Sequence, residues 1–489
     1  MSNKTQNERI IFGLKVKQLR QEKGLSFADM AKKSKMSVSY LNEIEKGKKY
    51  PKEDKIHQIA NALDVSFNEL TSRQLSRNLE PVNQLLQSNF LNELPLDLFG
   101  IELSKVVEII ANAPVRVGAF ISTLLELSRS YALKEENFYF GALRSFLELN
   151  SNYFPEIEAA VDRFCQEHQI PKGRPIPVET LQRLLENQFD YKIVENGLDP
   201  YPELQGLRSV YVPERRELLL NSQLSPKQKA FTYGKEMAFQ YMNMEERAFT
   251  SSLMRINQFE EVLNHARATY FSVALHMPLA MFVDDIRAFF RRKTWNGEAF
   301  LGIMNKYLAN PEMFYHRLTN VLPEFFGLDK LFFLRFAHDL RQDQYDIDRE
   351  LHLSHRHHPH SNGLFEHYCR RWIALSMLEE LRKDDSGKII VGIQRSRYIG
   401  TEDEYLCLTI ARPSYPDPQK NVSVTLGLKV TDELRSTIGF LDDEKIPFRM
   451  VNKTCERCSL TDCKERAAPP IVADRRQQFK AIQKRLQEL

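Results

Sequence analysis

The sequence predicts a multidomain chain, predominantly α-helical with α+β parts, and three observations carry that prediction. Its 489 residues amount to about three domains at roughly 100–200 residues each. Helical apolar spacing governs the first part of the chain, whereas runs rich in Val, Ile and Thr come only after about residue 325. Charge is also uneven: residues 1–75 hold 15 Lys/Arg against 9 Asp/Glu, while the remaining 414 hold 53 against 56. The basic excess marks the amino-terminal module as the place where a polyanion would be held.

Composition narrows the classes further. No stretch approaches the ~18–20 uninterrupted apolar residues of a membrane span, and the start, MSNKTQNER, is polar where a signal peptide carries an apolar run. Six cysteines in 489 residues do not make a disulfide scaffold. The expectation is a cytoplasmic protein in a reducing compartment, with no membrane partner.

Residues 9–70 read as five short helices. Ile11, Leu14 and Leu19 give the first an apolar stripe that Gly24 ends. Ser26 suits the N-cap of the second, with Asp29 three residues on in the capping-box position. Met30 and Ala31 face inward before a break at Ser34–Lys35–Met36. Ser37 caps a third helix with Leu41 and Ile44 inward, Gly47 closes it, and a fourth carries Ile56, Ile59, Ala60 and Leu63. Two short helices across a tight turn, the second amphipathic, form a helix-turn-helix unit.

The stretch SFADMAKKSKMSVSYLNEIEKGKKYPKEDKIHQIANALDVSFNEL resembles the cro/C1-type (Xre) helix-turn-helix domain. The resemblance implies that the second helix of the motif lies in the major groove of a double-stranded DNA operator. It assigns Ser37, Val38, Ser39, Asn42 and Glu43 to the reading end, and Arg20, Lys46, Lys48 and Lys49 to phosphate contact. Lys35 stands where that family usually has a left-handed Gly, at a cost of about 1 kcal/mol.

Residues 72–154 read as a helical linker domain broken at Pro114. Its aromatic crowding (Phe138, Tyr139, Phe140, Phe146, Tyr153, Phe154) reads as packing. A Pro-rich hinge, IPKGRPIPVE, follows at 170–179.

The order of residues over 155–324 resembles the ImmA/IrrE metallopeptidase-like domain, which implies a zincin-like α+β fold. That chemistry needs two His one helical turn apart to hold zinc, with a Glu between them as general base. The matching positions are Lys235, Glu236 and Phe239, and the later acidic ligand position corresponds to His265. Lys is cationic and Phe has no donor atom, so the expectation is a scaffold without peptidase activity.

Residues 325–489 carry LFFLRFAHDL, a His-rich stretch (His352, His355, His357, His358, His360) and three β-like runs: KIIVGIQRS, EYLCLTIAR and NVSVTLGLKV. This predicts an α+β domain with a small sheet. Cys455, Cys458 and Cys463 follow, spaced as a half-site for zinc or an iron–sulfur cluster, with Cys369, Cys407 or the His-rich stretch as sources of a fourth ligand. Reduced packed thiols or a redox-responsive group are the alternatives. A basic amphipathic helix, ADRRQQFKAIQKRLQEL, ends the sequence.

The order of modules resembles the short-chain fatty acyl transcriptional regulators, most specifically in the ending Cys455, Cys458, Cys463, Arg466, Ala467, Pro469, Pro470. The resemblance implies a non-enzymatic, homodimeric DNA-binding regulator of 1–71, 72–154, 155–324 and 325–489 domain plan, responding to a small-molecule effector such as a short-chain acyl-CoA. Arg395, Arg397 and Arg412 are the strand-end candidates for its phosphates. The competing readings are a repressor-cleaving metalloprotease fused to a DNA-binding domain and a stress or antitoxin-type interaction protein.

Overall fold

The computed structural model describes residues 3–72, 135–171, 175–253, 256, 258–353, 366–383, 387–415, 417 and 419–488. The chain divides into two compact units, Met1–Ala142 and Leu143–Leu489.

The first unit contains α1 (Asn3–Glu22), α2 (Phe27–Ser34), α3 (Val38–Glu45), α4 (Glu53–Leu63) and α5 (Phe67–Thr71), the five helices that the apolar spacing predicts. Ser26 and Asp29 form the expected capping box, and Ser37 Oγ accepts from Tyr40 N–H at 3.2 Å. Lys35 ends α2 at φ 54°, and Gly24 and Gly47 close α1 and α3 at φ 63° and 68°. The core holds Phe12, Val16, Met30, Leu41, Ile44, Ile59 and Leu63. Most of the predicted 72–154 linker, Pro114 included, lies outside the described residues. From its end come α6 (Glu135–Leu149) and the buried, stacked pair Phe146 and Phe154, 5.8 Å apart.

In the second unit, α7 (Pro155–Glu167) and α8 (Val178–Gln188) precede β1 (Lys192–Val194), β2 (Ser209–Val212) and β3 (Glu217–Leu220). These strands form a sheet in the order β1-β3-β2, with β1 parallel and β2 antiparallel to β3. Five helices follow: α9 (Pro226–Tyr241), α10 (Phe259–His276), α11 (Leu279–Phe290), α12 (Gly297–Lys306) and α13 (Pro311–Phe326). Ser225 and Gln228 close a capping box at the start of α9, with Pro226 at its first turn.

A six-stranded sheet completes the unit: β4 (Leu331–Asp339), β5 (Gln344–His352), β6 (Ile390–Tyr398), β7 (Glu404–Pro413), β8 (Lys420–Lys429) and β9 (Phe448–Val451). Its order is β5-β4-β8-β7-β6-β9, antiparallel except for β6 with β9. Three of these strands are the predicted β-like runs. The other long pair arises from LFFLRFAHDL and the segment leading into the His-rich stretch, so the sheet is larger than expected. Of the predicted histidines, His352 ends β5 and is buried; His355, His357, His358 and His360 lie outside the described residues.

Both faces of this sheet are covered, which is why β7 is buried almost end to end. Leu406, Leu408 and Ile410 pack with Phe282, Phe300 and Phe314 from α11–α13. Tyr405, Cys407 and Ala411 pack with Leu375 and Leu378 from α14 (Ile373–Lys383). The first of these cores joins residues on both sides of position 324. A short helix α15 (Asp432–Thr437) and a terminal helix α16 (Ile471–Glu488) complete the elements. No helix among the described residues is long and apolar enough to cross a membrane.

Candidate functional site

On α3, one face is spent on the core through Leu41, Ile44 and Glu45. The opposite face carries the predicted reading residues: Val38, 46% exposed, exposed Ser37 and Ser39, and half-buried Asn42 and Glu43. Ser37 Oγ accepts the capping hydrogen bond but retains its own proton to donate. Beyond the helix, Lys48 and Lys49 are exposed and Lys46 is half-buried. Lys49 pairs with Glu43 at 2.8 Å, which ties a predicted phosphate contact to a predicted reading residue.

Arg20 corrects the expectation of a phosphate contact. Its Nε and Nη2 donate to the two Glu45 carboxylate oxygens at 2.6 and 2.9 Å, and Nη1 donates to Leu25 O at 2.9 Å. The guanidinium also lies 4.1 Å from the Phe27 ring. Buried and fully engaged, Arg20 joins α1 to α3 and is not offered to a ligand.

The second unit brings Lys235, Glu236, Phe239 and His265 to one cleft, shared with Arg208, Phe231, Thr250 and Arg349. Residues 235 and 239 are one turn apart on α9, and His265 comes from α10. The two helices meet closely because position 234 is Gly: a Cβ there would sit 2.5 Å from Ser272 Oγ. Glu236 is occupied. It accepts from Arg247 Nη2 at 2.9 and 2.7 Å and from the Tyr191 hydroxyl at 3.0 Å. Arg247 lies 3.8 Å from the Phe239 ring centroid. Burial beside Glu236 holds the Tyr191 phenol protonated.

Lys235 Nζ lies 3.1 Å from His265 Nε2. Burial lowers the lysine to about 7, helped by the charges of Arg349, Arg247 and Arg208. Burial and Lys235 together push His265 well below the ordinary imidazole range, so it is neutral at pH 7. This donor set does not fit zinc. Two expected ligand positions hold an ammonium and a phenyl ring, the carboxylate is taken by Arg247, and His265 faces a cation.

The same cleft gathers more positive than negative charge, although Glu236, Glu312 and Asp348 act on its cations from beyond ion-pair distance. Lys235, half-buried Arg208 and solvent-accessible Arg349 make no ion pair with any carboxylate among the described residues. Arg208 stands on the approach to β2 and Arg349 on β5, and burial lowers Arg208 to about 10. By contrast, the predicted phosphate candidates are neutralised internally. Arg395 and Arg397 donate to Glu404 at 2.7 and 2.9 Å, and Arg412 donates to Glu312 at 2.8 and 3.0 Å. Sequence reasoning missed Arg208 and Arg349 because nothing local marks them; only folding brings them to one cleft with Lys235.

A second cleft gathers Cys369, Cys455, Cys458 and Cys463 with Arg370, Arg371 and Arg466. Cys369 is thus the fourth thiol beside the motif, while Cys407 lies on β7 in the α14-facing core. Cys455 Sγ accepts from Ala467 N–H at 3.3 Å, and Arg466 donates to Cys455 O at 2.9 Å. Burial raises the Cys369 thiol to about 11. Arg370 Nη1 and Arg371 Nε are buried without a hydrogen-bond partner. No three His, Cys, Asp or Glu side chains among the described residues are grouped closely enough for one metal ion.

Residues 16–70 match the family described as helix-turn-helix, and residues 197–319 match the IrrE N-terminal-like domain of the M78 peptidases. No curated protein matches the chain. Among solved structures, a Mycobacterium tuberculosis transcriptional regulator is similar at 19% identity and a TM-score of 0.47, covering 68% of this chain and 94% of its own. The helix-turn-helix match, with its exposed α3 face, supports a DNA-binding regulator that carries an IrrE-like domain of a protease-like family.

Proposed function

We propose that this protein is a transcriptional regulator in which the peptidase-like cleft has become a receptor for an anionic metabolite, with a short-chain acyl-CoA as the effector. The three cations Arg208, Lys235 and Arg349, gathered in one cleft without a close ion pair among the described residues, are the observation that carries this reading. Phosphate oxygens would pair with these cations directly through charge-assisted hydrogen bonds, and Phe231 and Phe239 offer apolar surface beside them. Peptidase activity is not part of the proposal, since the zinc ligands and a free general base are both missing from the positions that need them. The effector acts by binding more tightly to one of two states that differ in DNA affinity.

The test is DNA binding by the full chain, measured by fluorescence anisotropy on a selected operator with and without a short-chain acyl-CoA. Asn42→Ala is expected to abolish specific binding. Arg208→Ala and Arg349→Ala are expected to bind DNA normally but to weaken the effector response by about 10-fold or more, the worth of one charged hydrogen bond. Unchanged effector response in both variants would sink the receptor reading while leaving the DNA-binding one intact.

The cysteine cleft is proposed to hold an iron–sulfur cluster. Four thiols line it, and the arginines beside them, Arg370, Arg371 and Arg466, suit the negative charge of a thiolate-ligated cluster. When bound, such a cluster would supply one-electron redox chemistry or simple cross-linking of the loop. Anaerobically purified protein is expected to contain iron and acid-labile sulfide, reduced at least several-fold in Cys458→Ser. Stoichiometric zinc in their place would refute this assignment.

A further inference from the structure

We propose that α16 is a self-association element, pairing antiparallel with α16 of a second copy of this chain. The helix runs for 18 residues, Ile471–Glu488, without one buried residue. An isolated helix of this length is marginal in water, so its stability calls for a covering surface. Four of the large exposed apolar side chains of the described residues fall on it: Ile471, Phe479, Ile482 and Leu486, each 52–65% exposed.

Their spacing says what kind of surface covers them. Val472, Arg475, Phe479, Ile482 and Leu486 follow alternating steps of three and four residues, which is the seam of a two-stranded coiled coil. The residues bordering the seam most closely are Gln478 and Arg485 on one side and Gln483 and Arg476 on the other. In an antiparallel pair with Phe479 opposite Ile482, Arg476 meets Gln483 and Gln478 meets Arg485 of the second copy, so no like charges are juxtaposed.

Arg475 decides the orientation. A parallel pair would set the two Arg475 side chains against each other inside the seam. The antiparallel pair separates them to opposite ends, each with its aliphatic stem over Leu486 of the second copy. Antiparallel alignment also sets the helix dipoles head to tail. The root of α16 is fixed, since Val472 and Ala473 N–H both donate to Glu456 O at 3.0 Å. Self-association here would supply the dimer that two half-sites of an operator require, yet the inference rests on α16 alone and survives if the effector reading fails.

The experiment is sedimentation equilibrium of the full chain across about three decades of concentration. The wild type is expected to show a monomer–dimer equilibrium. Phe479→Glu/Ile482→Glu, on a helix that carries no core residue, is expected to weaken it at least 10-fold, and Arg475→Leu to tighten it by about 5-fold or more. Gln477→Glu, on the far face, serves as the control that stays at the wild-type value. A monomeric wild type, a dimer indifferent to both seam variants, or recovery of α16 on anionic vesicles or DNA without self-association would each overturn the proposal.

Discussion

Lys235 sits where burial and neighbouring arginines both work against its charge, and its titration near 7 is the consequence. The sign of its effect on ligand binding follows directly. An anion stabilises the ammonium, so affinity is greatest below about pH 7 and falls as pH rises and the free protein loses that proton. Between pH 6.5 and 9, above the phosphate titration near 6, acyl-CoA affinity is expected to drop by up to about 10-fold per pH unit. Lys235→Met should bind weakly with a flat profile. Calorimetric titration across that range reads both, and a flat wild-type profile would detach Lys235 from the site. His265 adds no charge of its own here, because it is held neutral. The contrast with Arg395, Arg397 and Arg412 is instructive: the cations nearest predicted strand ends are neutralised by Glu404 and Glu312.

Between elements, the α1–α3 junction shows why a basic residue in a basic domain need not touch DNA. At position 13 a Cβ would come within 2.2 Å of Ile44 O, so Gly13 lets α1 cross α3 at close range. The same crossing buries Arg20 against Glu45. Breaking a buried pair from one side leaves an uncompensated charge, costing about 3 kcal/mol. Arg20→Ala is therefore expected to lower amide protection in α1 and α3, measured by hydrogen exchange on the full chain, by roughly 100-fold. Replacing both partners, as Arg20→Met/Glu45→Leu, should restore most of it. Wild-type protection in Arg20→Ala would mean that the pair contributes nothing to the junction. The α9–α10 contact uses the same device, with Gly234 against Ser272, and there the close approach sets Lys235 beside His265.

Across the second unit, the peptidase-like helices and the six-stranded sheet are one packed body with a common core. The cleft uses this: Lys235 comes from α9, Arg208 from the edge of the small sheet, and Arg349 from β5. The five helices of residues 3–72, their caps and their turn were legible because each depends on residues within a few positions of one another. So were β6, β7 and β8, and the loss of the zinc pair, which is a matter of residue type at fixed helical spacing. β4 and β5 were not read as strands: β4 is buried on both faces, and a continuous apolar run carries no alternation. The sequence by itself determined that positions 235 and 239 hold Lys and Phe, residue types that do not ligate zinc, and which face of α3 is polar. Only the tertiary structure decided that Arg20 is a strut, that Cys369 joins the three motif cysteines, and that Arg208, Lys235 and Arg349 share a cleft. The physical reason is distance along the chain: charges and thiols act over a few ångströms, and only folding brings residues more than a hundred positions apart within that range.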